Sequence, residues 1–319
     1  VSNPARIPVV FVAGSGHSGS TLLALLLDAH PEIACVGETA VKPRIRRRGD
    51  AAGAVCSCGA KVQDCPFWTT VFRKVQAQGL TFSATEWTND YRFEQPLLQR
   101  LLHRACRSAT GRRALSVAAS YAPLYSSRVA RIDEVNQAFM RAVLEASSAR
   151  VFADTTKVMA RLLHLVRIPS LDIRVVALCR DVRGYAASAK KRGISPLDAT
   201  GTWMTDQAML LDFAREHPKV PYMSLRYEEL CERPSQVLAS LWDFCGVTRL
   251  DLPEPLQTAD HHVLGNNMRM AGGIRIRQDS SWRDRLNTAD ETAILRQAGQ
   301  LLSRLGYDAG GPDRLGVRR

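Results

Sequence analysis

Residues 9–27, VVFVAGSGHSGSTLLALLL, run without a break from an apolar strand through a Gly/Ser loop into an apolar helix. Val9 to Val12 are β-branched or aromatic, as a buried strand prefers. Gly14, Gly16 and Gly19 let the turn curl and let a ligand approach the main chain. Leu22, Leu23, Leu25, Leu26 and Leu27 then form a buried helix. Its first N–H groups have no internal partner and its dipole is positive at that end, so the junction is a backbone anion site. The spacing Gly14-x4-Gly19 is that of a Walker A loop, but Ser20 and Thr21 stand where Lys and Ser/Thr belong. A nucleotide triphosphatase needs that Lys on its β- and γ-phosphates. Its absence points away from ATP or GTP hydrolysis and toward another phosphorylated ligand.

Outward from this stretch, strands and helices alternate. Strands are expected at Val151–Ala153, Ile173–Cys179 and Tyr222–Leu225. Helices are expected at Met159–Ile168, Gly184–Lys191, 196–217 and Pro234–Cys245. The pattern implies an α/β fold: a P-loop-like, mostly parallel sheet with right-handed crossovers, flanked by helices. Ligands of such sheets bind at the carboxyl ends of the strands. Between about Lys42 and Arg150 no core strand is apparent. Apolar spacing there predicts helices at Phe67–Gln78, Phe93–Ala109 and Ile132–Ser147, with Gly79 and Gly111 as helix ends or linkers. Residues 42–150 therefore read as a helical insertion covering the site, within a single domain of residues 1–319. The tail from Gly310 onward is expected to be loose.

The chain carries 43 basic and 31 acidic side chains, a formal charge of +12, which favours an anionic ligand. The basic run Arg44, Arg46, Arg47, Arg48 has no aromatic interleaving, so it reads as a solvated or substrate-facing loop rather than a nucleic-acid patch. The apolar runs around GSGHSGST are too short to span a bilayer, and a soluble, cytoplasmic protein is expected. Oligomeric state is left open. Of eight cysteines, Cys35, Cys106, Cys179, Cys231 and Cys245 lie in apolar surroundings. Cys56, Cys58 and Cys65 cluster in VCSCGAKVQDCPFW. They could join a fourth group on zinc, form a disulfide, or stay free, and no CxxC pair decides among these. Aromatic residues of the insertion, Trp68, Phe72, Phe82, Trp87 and Tyr91 among them, could line an acceptor pocket or form its core, the core being the default.

A second anion site is suggested where strand Ile173–Cys179 ends at Arg180-Asp181-Val182-Arg183. Ser188 lies about two helical turns on, and Arg192 four residues further on the same helical face. Two guanidinium groups and a hydroxyl could surround one phosphate. The alternative is an Arg180–Asp181 ion-pair cluster beside a solvated helix end.

These motifs together resemble the superfamily of sulfotransferases that use 3′-phosphoadenosine 5′-phosphosulfate (PAPS). GSGHSGSTLLALLLDAHPEIACVGET is similar to its 5′-phosphosulfate motif, and RVVALCRDVRGYAASAKKR to its 3′-phosphate motif. LRYEELCERPSQVLASLWDFCGV, HHVLGNNMRM and IRQDSSWRDRL look like later segments of bacterial members, in the same order. The pattern is nearest to tyrosylprotein sulfotransferases and their bacterial relatives, which share LDAHP and an acidic residue after the next strand. The resemblance implies transfer of a sulfuryl group to a hydroxyl of a small-molecule, carbohydrate or peptide acceptor. It implies that Ser18, Gly19, Ser20 and Thr21 cradle the 5′-phosphosulfate, that Arg180, Ser188 and Arg192 hold the 3′-phosphate, that Tyr227 lines the nucleotide pocket, and that Ser15, Gly16, His17, Arg275 and Arg277 also bind the cofactor. Glu38 falls at the place of the general base. Its alternative is a strand-end carboxylate satisfied by nearby amides.

His17 departs from the family pattern, standing where many members have Lys or Arg beside the bridging oxygen. Lys157, in Asp154-Thr155-Thr156-Lys157 after a strand, could provide the permanent charge, or be a surface lysine opening a helix. His30, in LDAHP, reads as a capping or packing residue. Loop N–H groups, His17 and Lys157 would stabilise the departing phosphate oxygen, and no metal is called for. The rival readings are a P-loop kinase of a small metabolite, which should show the Walker Lys, and a non-catalytic nucleotide-binding protein.

Overall fold

The computed structural model describes residues 6–38, 54–93, 95–252, 255–256, 261–263, 267–270 and 275–307. Five parallel strands form one sheet: β1 (Ile7–Gly14), β2 (Ile33–Cys35), β3 (Val151–Asp154), β4 (Leu171–Cys179) and β5 (Tyr222–Arg226), in the order β2-β3-β1-β4-β5. The expected α/β architecture is thereby confirmed. Helix α1 (Ser20–Asp28) carries the chain from β1 outward to β2. The chain leaves β4 through α7 (Val182–Lys190) and α8 (Pro196–Glu216) toward β5 on the opposite side. The loops after the neighbouring strands β1 and β4 thus diverge, opening a crevice at the carboxyl ends of the strands.

Alternation along β1 divides the core. Val9 and Phe11 face a cluster that includes Phe152, Val175 and the insertion's aromatic residues, whereas Val10 and Val12 face α1 and α10 (Pro234–Cys245). Helix α9 (Tyr227–Glu232) follows β5 directly. A third cluster joins α7 and α8 to α12 (Thr288–Arg304), and the short α11 (Trp282–Arg285) packs beside α7.

The insertion is helical, as expected, with α2 (Pro66–Gln76), α3 (Pro96–Cys106), α4 (Ala109–Tyr121) and α5 (Pro123–Ser147), while α6 (Met159–Leu165) follows β3. Its described residues contain no named strand, only an isolated bridge between Val55 and Lys61. Two expectations are corrected. Gly111 is not a linker but lies in the first turn of α4, capped by Ser108. A Cβ there would stand 2.3 Å from the Ala105 carbonyl, so the glycine permits the tight α3–α4 corner. Helix α5 also starts at Pro123 rather than Ile132, because proline is well placed in a first turn. Gly79 does follow the end of α2, at φ 75°. Trp68, Phe72, Phe82, Trp87 and Tyr91 are all buried, so they form the insertion's core. The basic run at 44–48, the start of the insertion and the tail from Gly310 lie outside the described residues. Among the described residues, no helix is long and apolar enough to cross a membrane.

Candidate active site

The first loop sits at the crevice between β1 and β4. Gly19 ends it at φ 88°, in the left-handed region that favours glycine, and a Cβ there would lie 2.3 Å from the Tyr227 ring. Helix α1 begins at Ser20 with no side-chain cap on its first N–H groups. The Ser18 hydroxyl is buried and has no hydrogen-bond partner among the described residues. A Cβ on Gly16 would meet nothing within 4 Å among the described residues, so space lies open over that residue. An uncapped helix start, an orphaned hydroxyl and open space over the turn fit an anion drawn close to the main chain.

Arg180 is brought against this loop. Its guanidinium is buried, donates to the His17 carbonyl at 3.2 Å, and lies over the Tyr227 ring at 4.8 Å. It also donates to the backbone and side-chain oxygens of Asp279, at 3.0 and 3.2 Å. The Arg180–Asp181 ion pair of the alternative reading is absent among the described residues. Asp181 instead caps α7 and pairs with Arg183 at 2.5 Å. Tyr227 completes the wall: its hydroxyl donates to the Arg277 carbonyl at 3.0 Å and accepts from the Asp279 amide at 3.1 Å. Burial works against the charge of Asp279. Hydrogen bonds from the Ser281 hydroxyl and amide and from Arg180 outweigh it and hold the carboxyl at about 2. Ser188 is half-buried on α7. That helix stops at Lys190, so Arg192 lies exposed in the following turn and not on the helical face of Ser188. Arg275 and Arg277 present exposed side chains beside Asp279 in sequence.

Glu38 and Lys157 meet although 119 residues separate them. Lys157 Nζ donates to Glu38 Oε1 at 2.5 Å, with both side chains mostly buried, so Lys157 is not a surface lysine. Strand order explains the meeting, because Glu38 follows β2, Lys157 follows β3, and those strands are neighbours. The turn that presents Lys157 is braced from below. Asp154 Oδ1 accepts from the Thr156 amide at 3.0 Å and its hydroxyl at 2.6 Å, while Oδ2 accepts from Arg161 at 2.7 Å. Lys157 and His17 both have positive φ, 63° and 65°, an uncommon conformation that is concentrated at functional sites.

A cleft of about 240 Å³ opens beside the first loop, lined by Gly16 and Lys157, by His103 and Arg107 of the insertion, and by Asp206 and Met209 of α8. The insertion therefore covers the site through the end of α3. Asp206 is a site residue that sequence reading missed. Burial pushes its carboxyl up to about 6, partly offset by a hydrogen bond with the Ser15 hydroxyl. His30 is structural, as anticipated. It is buried, contacts the Thr248 carbonyl at 2.8 Å, and packs on Trp242 at 4.7 Å.

The sequence model of the sulfotransferase family matches residues 8–251, which span all of the sheet but Ile7, and both loops. The chain belongs to the sulfotransferase family. The family's chemistry, transfer of a sulfuryl group, is thus that of a transferase. This sulfotransferase is 51% identical over 40 residues to protein-tyrosine sulfotransferase 1 of Rattus norvegicus, covering 12% of this chain and 11% of that protein. It is 49% identical over 40 residues to the protein-tyrosine sulfotransferase of Drosophila melanogaster, covering 12% and 8%. The matched stretch therefore spans about a tenth of those relatives' length. Across its whole length the sulfotransferase resembles the sulfotransferase domain of the Synechococcus PCC 7002 olefin synthase, at TM-score 0.53 and 21% identity over 97% of this chain and 98% of that one. The sulfotransferase domain from the curacin biosynthetic pathway gives 0.51 and 19%, over 95% and 99%. At such identities the likeness establishes the fold.

Proposed function

We propose that this sulfotransferase takes the sulfuryl group of PAPS to a hydroxyl of a small-molecule, carbohydrate or peptide acceptor and releases 3′-phosphoadenosine 5′-phosphate. One observation carries the reading. A buried arginine at the end of β4 is locked against an uncapped glycine loop, and Lys157, which lines the cleft beside that loop, is ion-paired to the Glu38 carboxylate. PAPS provides the sulfuryl group and a bisphosphate leaving group. The N–H groups from Ser15 to Thr21 and the Ser18 hydroxyl hold its 5′ end. Arg180, with Ser188 and Arg192 beyond it, holds the 3′-phosphate, and Tyr227 walls the nucleotide site.

Glu38 accepts the acceptor's proton, and Lys157 stands beside it as a fixed positive charge. Together with loop N–H groups and His17, Lys157 stabilises charge gathering on the departing phosphate oxygen. As in phosphoryl transfer, positioning and charge stabilisation carry most of the catalysis. The cleft volume lies below the roughly 300–1,000 Å³ of sites for drug-sized ligands, which suits a ring-sized acceptor group.

Thermal shift tests the donor. Bound ligand stabilises by mass action, so 3′-phosphoadenosine 5′-phosphate should raise Tm well above the effect of ATP with Mg²⁺. Equal or greater protection by ATP with Mg²⁺ defeats the assignment. Arg180→Ala should weaken the bisphosphate by roughly 10–100-fold in calorimetry, the worth of one charge-assisted contact. An unchanged affinity would remove Arg180 from the donor site.

A second reading of the base rests on Asp206, which lines the same cleft and whose carboxyl is pushed up to about 6 by burial. If Asp206 accepts the proton, kcat falls below pH 6 as the carboxyl protonates, and Asp206→Asn removes activity at every pH. If Glu38 is the base, Asp206→Asn keeps most activity. Either way stability should respond. Because the folded pKa is raised above 3.8, ionisation opposes folding, and the penalty grows as pH rises from about 4 to 6. Asp206→Asn should therefore stabilise the fold above pH 6, by about 1–2 kcal/mol after solvent screening. Urea unfolding at pH 5 and pH 8 measures the difference.

A further inference from the structure

The cysteine loop of the insertion lies apart in sequence from the residues assigned above to donor and base, yet it converges on a distant histidine. Cys56 Sγ, Cys58 Sγ, Cys65 Sγ and a ring nitrogen of His261 all lie within 4.8 Å of one another. Cys58 and Cys65 are 3.7 Å apart, and Cys65 and Cys56 3.8 Å. His261 Nδ1 stands 3.4 Å from Cys65 and 3.7 Å from Cys56. Disulfide sulfurs would be about 2.05 Å apart, so these are not bonded to one another. A tetrahedron with Zn–S of about 2.3 Å and Zn–N of about 2.0–2.1 Å has edges of roughly 3.5–3.8 Å. The four separations above, 3.4–3.8 Å, lie close to those edges.

We propose that Cys56, Cys58, Cys65 and His261 hold one structural zinc ion through three thiolates and one imidazole nitrogen.

The backbone is folded to bring these four together. The Cys56 amide donates to the Ala60 carbonyl at 2.8 Å and the Gly59 amide to the Cys56 carbonyl at 2.9 Å, closing a turn that faces Cys56 and Cys58 the same way. A 3₁₀ turn at Val62–Asp64 then returns Cys65 to the start of α2. His261 is aimed from the other side. Its carbonyl accepts from Trp68 Nε1 at 3.0 Å, and its ring stacks on Phe67 at 4.5 Å and 3° between planes. The Ser57 amide donates to the His262 carbonyl at 3.0 Å, and the His262 amide donates to the Ser57 hydroxyl at 2.8 Å. His261 holds φ 61°, a conformation sustained only where the surroundings fix it.

Three thiolates with one imidazole select zinc over hard cations such as Mg²⁺ or Ca²⁺. Four protein ligands leave no open position, which marks a structural rather than a catalytic site. The ion ties residues 56–65 to residues 261–263. The Val263 amide in turn donates to the Val36 carbonyl at 3.2 Å, two residues before Glu38. One ion therefore clamps the insertion, the carboxyl-terminal segment and the strand end that carries Glu38. The inference is independent of the donor and of the acceptor.

The test is the metal content of the full chain, purified without chelator and passed over a desalting column. Elemental analysis should find about one zinc per chain. Protein grown on cobalt should show the intense visible bands of tetrahedral cobalt with thiolate charge transfer. Cys58→Ser and His261→Ala should each lose most of the zinc, while Cys231→Ser keeps it. Should the ligand variants fail to fold, the wild-type stoichiometry and cobalt spectrum decide alone. Less than about 0.1 zinc per chain, with no uptake of added zinc, overturns the proposal. So does stoichiometric iron in place of zinc, or full zinc retention in both ligand variants.

Discussion

Replacing Glu38 with glutamine is expected to lower turnover by about 10²–10⁴-fold, the usual worth of one general base, while leaving affinity for 3′-phosphoadenosine 5′-phosphate nearly intact. The geometry adds a second expectation. Lys157 holds Glu38 at 2.5 Å, and both come from turns at the ends of adjacent strands. Removing either partner breaks the pair through which each positions the other, so the two losses should not add. Lys157→Ala should lower turnover substantially, and the double variant should be little worse than the poorer single one. Single-turnover rates with saturating donor separate this from weakened binding. Full additivity would mean that the two residues act in separate steps. A Glu38→Gln enzyme with unchanged turnover would leave Asp206 as the base.

Arg161→Ala should be among the most damaging changes to the fold. The Arg161 and Asp154 side chains are 1% and 0% exposed, and Arg161 also donates to the Asn89 carbonyl at 2.8 Å. Deleting the guanidinium strands a carboxylate in the interior, which costs about 3–5 kcal/mol. Whole-domain stabilities are only about 5–15 kcal/mol, so the urea midpoint should fall steeply. Activity should fall as well, since Asp154 shapes the turn that presents Lys157. Arg161→Lys keeps the charge but loses the planar fork, and should recover only part of the stability. A loss below about 1 kcal/mol would show that Asp154 finds other partners.

The parts of this molecule legible in its sequence are those whose logic is local. A β-branched run, a glycine loop and a leucine-rich helix lie within nineteen consecutive residues, and their order alone forecast β1, the loop and α1. The alternation after Arg150 forecast β3 to β5 for the same reason. Helix α4 was not forecast, because its alanine, serine and glycine composition gives little apolar periodicity and Gly111 reads as a break. What depends on strand order was beyond reach. That Lys157 touches Glu38 follows from β2 lying beside β3, which no residue in either strand announces. Asp206 looks like an ordinary polar position on a long helix until the fold turns it into the cleft. His261 is one of two adjacent histidines, 196 residues from Cys65, and only the packing on Phe67 and Trp68 singles it out. Arg161 reads as one more helical arginine. Its burial is visible only in three dimensions.

The left-handed backbone at His17 and Lys157 narrows what natural variation or a designed library can place there. Asn and Gly fit that geometry well, and straight-chain residues tolerate it at modest cost, whereas Val, Ile and Thr clash at the β-carbon. Any survey of replacements at these two positions is therefore screened first by shape and only then by chemistry. An inactive valine variant would say nothing about charge, and an arginine at position 17 is the substitution that keeps the chain's path while changing what it offers the donor.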